Sequence, residues 1–346
     1  MTRLKMGVIG AGGIAQGRHI PSFLKLKEKV VLTAVQDLNL ERAEEVAKTH
    51  DIPYVFEDYN EMFERVDAVT ICTPNKFHAE ISIAALNAGV HVLCEKPMAI
   101  TTEECEAMME AAEKNDRLLS IAYHYRYTPE AQLAKKAIFN NEIGDPLVTR
   151  VQAMRRRKVP GWGVFTNKDL QGGGSLIDFG CHLLDLALWL LDDPKPVEVM
   201  GRTYDRLSKT PGQVNDWGTF DHDTFNVDDH VTSYITFENG ESLQFECSWA
   251  ANIKEDHTTL TISGVDGGIS VYPFELYQAK YGTLFDSTAK MNEEESQAGL
   301  KQAENFVNSC LGNEELIVQP EQALKVTKLM EAIYESSETG TSVKLK

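Results

Sequence analysis

The first 123 residues alternate short apolar runs with longer helix-like segments, and few folds satisfy such an alternation. LKMGVI (4–9), VVLTAVQ (30–36), DAVTICT (67–73), HVLCE (91–95) and LLSIAY (118–123) are rich in β-branched residues and read as strands buried on both faces. IAQGRHIPSFLKL, LERAEEVAKTH, HAEISIAALNAG and TTEECEAMMEAAEKN read as the helices between them. The last opens on Thr101 and Thr102, with acidic residues in its first turn that complement the helix dipole. Strands joined through helices enter a sheet parallel and by right-handed crossovers, so the alternation predicts a doubly wound α/β domain over residues 1–123.

After YHYRYTPE the pattern changes. A helix over 130–139 leads through IGDP into VTRVQAMRRR, and the Gly-rich QGGGS opens the apolar helix LIDFGCHLLDLALWLL. From about residue 196 hairpin-like strands dominate: DDHVTSYITFENGESLQFECSWA is two alternating strands joined by Asn239-Gly240. Helices over about 293–311 and 320–336 follow. The chain has 346 residues, more than one ordinary core accommodates. The expectation is therefore a second, α+β domain over 124–346 with an open, mostly antiparallel sheet.

The turn after the first strand carries the first chemistry. In GVIGAGGIAQG, Gly10, Gly12 and Ala15 form GxGxxA between a strand and a helix. There Gly10 permits a tight turn, Gly12 lets backbone approach a pyrophosphate, and Ala15 packs helix on sheet. Gly13 and Ile14 complete the turn, and the helix N-terminus offers unpaired N–H groups to phosphate. Asp37 ends the second strand, where a carboxylate accepts from both ribose hydroxyls and repels a 2′-phosphate. The sequence thus favours NAD over NADP, with Arg42 one helical turn on keeping NADP open. Capping of the helix LERAEEVA is the alternative role for Asp37.

A second constellation lies in SLIDFGCHLLDLALW. Asp178 and His182 at i, i+4 and Asp185 three residues on share one face of an α-helix, which flanks the histidine with two carboxylates. A carboxylate on one ring nitrogen fixes the tautomer and leaves the other to take a proton. No third His or Cys has metal-ligand spacing, so no metal is expected. A lone histidine in an amphipathic helix is ordinarily structural, but three features count against that here. QGGGS is entropically unfavourable unless backbone must approach something closely. Lys96 stands at the carboxyl end of a parallel strand, the edge where open α/β sheets bind ligands. The glycine turn places a cofactor on that edge. Together they describe hydride transfer: a cofactor, a cation to polarise an oxygen, and a histidine to exchange its proton.

Bulk properties exclude other classes. Lys and Arg number 34 against 52 Asp and Glu, a formal charge of -18 that repels nucleic acid. Six scattered cysteines without a CxxC pair read as reduced. No apolar run is long enough to span a bilayer and none resembles a signal peptide, so a cytoplasmic location without membrane partners is expected.

GxGxxA at 10–15, TPNKFH (73–78), AGVHVLCEKP (88–97) and GGGSLIDFGCHLLDLALWLL (172–191) resemble the glucose-fructose oxidoreductase / inositol dehydrogenase / MocA family, and VQPEQALKVTKLMEAIYESSETGTSVKL resembles its closing helix and strand. The resemblance implies an N-terminal Rossmann domain, a C-terminal domain whose sheet forms homodimers or homotetramers, and a closing helix (320–336) packed back on the first domain. It implies Lys96, Asp178 and His182 as the catalytic triad, with Lys96, Thr73, Pro74, Asn75, His78 and Glu95 lining the cofactor cleft, and a cis Lys96-Pro97 peptide. The expected reaction interconverts a secondary alcohol and a ketone on a sugar, sugar derivative or inositol. A non-catalytic dinucleotide sensor, which the triad Lys96, Asp178 and His182 discriminates against, and a cyclic redox enzyme with tightly held NAD, of a kind that tends to depart from EKP or DxGxH, are the alternatives. Arg126 matches a recurrent family arginine that contacts substrate or links domains. Asp185 either accepts from polyol hydroxyls or is a helix-surface carboxylate. Arg155, Arg156 and Arg157, with Trp162, resemble a segment in one branch of the family and face an acidic sugar, a neighbouring subunit or solvent; strand alternation would point Arg155 and Arg157 the same way.

Overall fold

The computed structural model describes residues 3–291 and 297–345, which form two compact units. The first takes the chain through Tyr127 and a later stretch ending at Thr327; the second takes the chain onward from Thr128, and again from Lys328. The helix Pro320–Thr339 is thus divided between them.

In the first unit, β1 (Leu4–Ile9), β2 (Val30–Gln36), β3 (Tyr54–Phe56), β4 (Ala68–Ile71), β5 (His91–Cys94) and β6 (Leu119–Ile121) form one sheet in the order β3-β2-β1-β4-β5-β6. Every pairing is parallel. The five expected strands are present, three of them trimmed by a residue or more at their ends. The edge strand β3 was not anticipated: its three residues carry too short a pattern to read. The order reverses at β1 and β4, and the crevice beyond the carboxyl ends at such a switch point is where open α/β sheets bind ligands. Met6, Val8, Phe23, Val35, Ala68, Leu93 and Phe306 belong to one core that includes residues of the returning helix Gln297–Cys310. The part of that expected helix preceding Gln297 falls, from residue 293 on, outside the described residues.

The helix Thr102–Lys114 is closed at its N-terminus by a capping box, with Thr101 Oγ1 accepting from Glu104 N and the Glu104 carboxylate accepting from Thr101 N. The segment after the glycine turn differs from expectation. It opens as a π-helical turn, Ala15–His19, before the α-helix Ile20–Lys25. Such wide turns recur at functional positions because they re-aim side chains.

The second unit holds β7 (Pro146–Met154), β8 (Pro196–Tyr204), β9 (His230–Phe237), β10 (Ser242–Ser248), β11 (His257–Gly264), β12 (Gly267–Ser270), β13 (Glu275–Lys280), β14 (Thr283–Thr288) and β15 (Val343–Lys344). They form a sheet in the order β14-β13-β12-β11-β7-β10-β9-β8-β15. Only β7 and β10 pair in parallel. The Asn239-Gly240 hairpin joins β9 to β10 as expected, with Gly240 at φ +90°. Val231, Ile235 and Phe237 alternate inward along β9. The helix Cys181–Leu190 buries Leu183, Leu184, Leu186, Leu188 and Leu190. At about 1.5–3 kcal/mol per buried leucine, packing rather than propensity fixes its position.

Candidate functional site

The glycine turn follows β1. Gly10 has φ +84°, and a Cβ there would stand 2.8 Å from the Cys72 carbonyl oxygen, so no other residue fits. Gly12 and Gly13 differ: a Cβ on either meets nothing within 4 Å. The protein's own packing does not require them, which leaves room for a group held by their backbone. Ala15 is fully buried, as close packing of helix on sheet demands. Asp37 links this turn to the end of β2: its Oδ2 accepts from Ala11 N at 2.8 Å and its Oδ1 from Asn39 N at 2.8 Å. The helix cap is Asn39, whose side chain accepts from Arg42 N. Arg42 Nη1 lies 3.6 Å from Asp37 Oδ2, so its charge is already answered.

Along the same edge, β4 ends into Thr73-Pro74-Asn75 and β5 into Glu95-Lys96. Thr73 Oγ1 is buried and has no hydrogen-bond partner among the described residues. Asn75 is buried at the start of a short 3-10 turn. The His78 ring lies between two carbonyl oxygens, with Nδ1 2.8 Å from that of Pro97 and Nε2 3.1 Å from that of Thr73. Burial lowers its pKa. The Lys96-Pro97 peptide is cis, as expected. The Glu95 carboxylate turns inward. One oxygen is 2.7 Å from His19 Nε2 and the other accepts from Lys96 N at 3.2 Å. Burial disfavours charge on both partners, yet their neighbours override it: Cys72 and, after it, Glu95 raise His19 to about 10, and the bond and charge of His19 lower Glu95 to about 2.

In the second unit Asp178 lies in a π-helical turn, Leu176–Gly180, that runs into the helix of His182. The uniform α-helical face expected of Asp178, His182 and Asp185 is therefore broken at the π-to-α junction. Asp178 Oδ2 accepts from Trp249 Nε1 at 3.0 Å and faces Arg155 Nη1 at 3.7 Å. The Arg155 guanidinium lies over the rings of Phe179 and Trp217, 3.8 and 4.6 Å from their centroids. His182 is buried. The glycines ahead of this turn have a different reason from the one their sequence suggested. A Cβ on Gly174 would sit 1.9 Å from the Asp228 carbonyl oxygen, and one on Gly173 2.1 Å from Tyr334 Oη. The close approach is to the chain itself. The Asp228 carboxylate gathers the start of the turn, accepting from Gly174 N (2.7 Å), Ser175 Oγ (2.8 Å), Leu176 N (2.9 Å) and Tyr334 Oη (2.6 Å).

Residues 4–123 match the family model described as an oxidoreductase family with an NAD-binding Rossmann fold, and residues 135–345 match its C-terminal α/β domain. The chain belongs to the glucose-fructose oxidoreductase / inositol dehydrogenase / MocA family. Among its relatives, D-glucoside 3-dehydrogenase of Escherichia coli is 35% identical over 99% of this chain and 97% of its own. Levoglucosan dehydrogenase of Pseudarthrobacter phenanthrenivorans is 30% identical over 80% of this chain and 75% of its own. A solved levoglucosan dehydrogenase complex with NADH shares the fold at a TM-score of 0.87 and 24% identity, covering 100% of both chains.

Against this family pattern the remaining expected residues fall out unevenly. Arg126 is 1% exposed, and its Nη1 donates to the Ile317 carbonyl (2.9 Å) and to Gln322 Oε1 (2.5 Å). These bonds tie the segment after β6 to the returning chain within the first unit. Asp185 is fully buried, which corrects its alternative role as a surface carboxylate. Trp162 is 55% exposed and packs against Phe165 and Trp217. The basic run lies beyond the end of β7, and Arg157 takes φ +52°, so strand alternation does not apply to it. Arg156 donates to the Lys254 carbonyl, Arg157 to the Leu207 carbonyl and Asn252, and Lys158 pairs with Asp256. No group of three or more potential metal ligands occurs among the described residues, and no helix there is long and apolar enough to cross a membrane. Sequence reasoning missed His19, Asp228, Trp249 and Tyr334. Each acts on a partner more than 50 residues away, and no local pattern marks it.

Proposed function

We propose that this chain is an NAD-dependent dehydrogenase of neutral sugars that oxidises a ring secondary alcohol of a pyranoside to the ketone, and reduces the ketone in reverse. The observation that carries the reading is Lys96 standing on the same sheet edge as a glycine turn with open space at Gly12 and Gly13 and a carboxylate, Asp37, bonded to that turn. The residues present fit the cofactor. The backbone of Gly10, Gly12, Gly13 and Ile14 would hold the pyrophosphate and Asp37 the adenosine ribose, with Thr73, Pro74, Asn75 and His78 lining the rest. Asp37 repels a 2′-phosphate and occupies Arg42, which favours NAD over NADP. Bound NAD supplies the nicotinamide that accepts a hydride from the carbinol carbon.

The chain's own residues do the remainder. His182 takes the proton of the substrate hydroxyl, and Lys96 donates to that oxygen and stabilises its developing charge. Asp178 orients His182 and is itself held by Trp249 and Arg155. Trp162 and Asp185 contribute to the substrate side, Trp162 through its exposed face. A neutral substrate is favoured because Arg156, Arg157 and Lys158 are each engaged by the chain itself, and two relatives are named for glucoside and levoglucosan oxidation. All six cysteines are free thiols, in keeping with a cytoplasmic enzyme. The sheet of the second unit exposes Met200, Tyr204 and Tyr234 on neighbouring strands, a face suited to homodimer or homotetramer contacts. A screen of methyl glucosides, levoglucosan, inositols, aldoses and sugar acids with NAD and NADP tests the reading. Turnover of a neutral pyranoside with NAD is expected; binding of NAD without turnover of any sugar would overturn it.

A further inference from the structure

The strand end that carries Lys96 is pinned on both sides by buried histidines. On the amino side, His19 reaches up from the π-helical turn below the glycine motif: Nε2 is 2.7 Å from Glu95 Oε1 and Nδ1 is 2.8 Å from Thr70 Oγ1 in β4. The second oxygen of Glu95 accepts from the Lys96 amide. On the carboxyl side, His78 contacts the Pro97 carbonyl. Both His19 and Glu95 are buried, and an ion pair removed from water persists only with close, well-satisfied geometry. The other charged or titratable groups that the pair meets include Arg18, Lys96, Cys72, Cys94, His78 and His124, whose Nδ1 is 3.2 Å from Arg18 Nη1. A strand stop would need none of this.

We propose that His19 is a positioning residue for Lys96: its bond to Glu95 fixes the backbone from which the lysine leaves β5 and couples that backbone to the helix of the glycine turn. The inference rests on the dehydrogenase reading above for its kinetic consequence and on geometry alone for its structural one. Misplacement of a reacting group by about 1 Å can lower a rate about 100-fold, so a loosened Lys96 shows in kcat before it shows in cofactor binding.

The test compares His19→Gln, Glu95→Gln and Lys96→Ala in the full chain. With a methyl glucoside and NAD, His19→Gln and Glu95→Gln are expected to lower kcat about 10- to 100-fold, and in His19→Gln the NAD dissociation constant should change less than about threefold. The double variant His19→Gln/Lys96→Ala is expected to lose no more than Lys96→Ala alone, because both act through one group. A second readout needs no turnover. In the cofactor-free protein the rate at which trinitrobenzenesulfonate labels Lys96, followed by peptide mass spectrometry, should change in His19→Gln while that of Lys76 stays the same. If both Gln variants lower the melting temperature but leave kcat and Lys96 labelling unaltered, the histidine is merely structural and the inference falls. If Lys96→Ala itself turns over normally, Lys96 is not the catalytic cation and the kinetic consequence falls, while the labelling experiment still decides the positioning role; if the unaltered chain turns over no sugar, the dehydrogenase reading fails instead.

Discussion

Two glycine-rich turns look alike in the sequence and serve opposite ends. In GAGG, at 10–13, Gly12 and Gly13 face open space, and the neighbouring Asp37 carboxylate bonds the turn from the side. In GGG, at 172–174, Gly173 and Gly174 are filled to contact by Tyr334 and Asp228. The first lacks side chains where nothing of the chain would meet them, the room proposed above for the cofactor; the second lacks them so that the chain can close on itself around a carboxylate. A glycine run therefore marks close approach without saying of what, and the difference becomes visible only when the neighbours are known. Both turns lead into π-helical turns that carry a proposed functional residue, His19 in one and Asp178 in the other.

The comparison breaks first at Gly174. Gly174→Ala forces a methyl group against the Asp228 backbone, and overpacking of this severity is expected to destabilise the protein by about 3 kcal/mol or more in urea unfolding. A loss below about 1 kcal/mol would show that the contact relaxes freely and that the second turn is no tighter than the first. Asp228→Ala comes next. It strands Gly174 N, Leu176 N, Ser175 Oγ and Tyr334 Oη, for an expected loss of about 2–3 kcal/mol, with Tyr334→Phe costing about 1 kcal/mol on the same assay. Gly12→Ala should behave in the opposite way. Its Cβ meets nothing, so stability should move by less than about 0.5 kcal/mol while NAD affinity, measured calorimetrically, falls about tenfold, or about 1.4 kcal/mol. Unchanged affinity would remove the pyrophosphate from this turn.

The same contrast explains what was legible in the sequence. The first unit is built from local signals: a period of strand and helix, a capping box within four residues, and a glycine turn in a fixed context. Strands β1 and β2 could be bounded to the residue. The triad motifs could be found in the second unit too, but not what holds them. Asp178 is fixed by Trp249 and Arg155, and its turn by Asp228, all three next to strand ends of a largely antiparallel sheet, and by Tyr334 from the helix Pro320–Thr339. Such pairings are set by tertiary packing and leave no period. The π-helical turns were misread for a related reason. An extra residue in a helical turn shifts the face by about 100°, but in a segment as evenly apolar as LIDFGCHLLDLALWLL that shift leaves no visible break in the pattern. Likewise the roles of Arg126 and the basic run stayed open in the sequence, because charge is visible there and its partner is not.

A titration separates the two regions by sign. Glu95 is lowered to about 2, so its contribution to the first unit is complete above the unfolded value near 4.5 and is lost as pH falls through 2. His19, raised to about 10, contributes fully below its unfolded value near 6.5 and loses that contribution as pH rises toward 10. In the second unit Asp229, next to the clasping Asp228, runs the other way. Burial, opposed by Ser208 and aided by Asp205 and Asp228, raises it to about 6, so stability is lost as pH climbs from about 3.8 through 6. Each single group changes the unfolding free energy by at most about 1.4 kcal/mol per pH unit. Urea unfolding from pH 2 to 9 should therefore show a rising limb that Glu95→Gln removes and a falling limb between pH 4 and 6 that Asp229→Asn removes. His19→Gln should abolish the decline above pH 6.5 and, by leaving Glu95 buried without that cation, raise the folded pKa of Glu95 and so shorten or reverse the rising limb, whose upper end stays near 4.5. If Glu95→Gln leaves the acid limb in place, the buried pair is not what links the glycine-turn helix to the lysine strand.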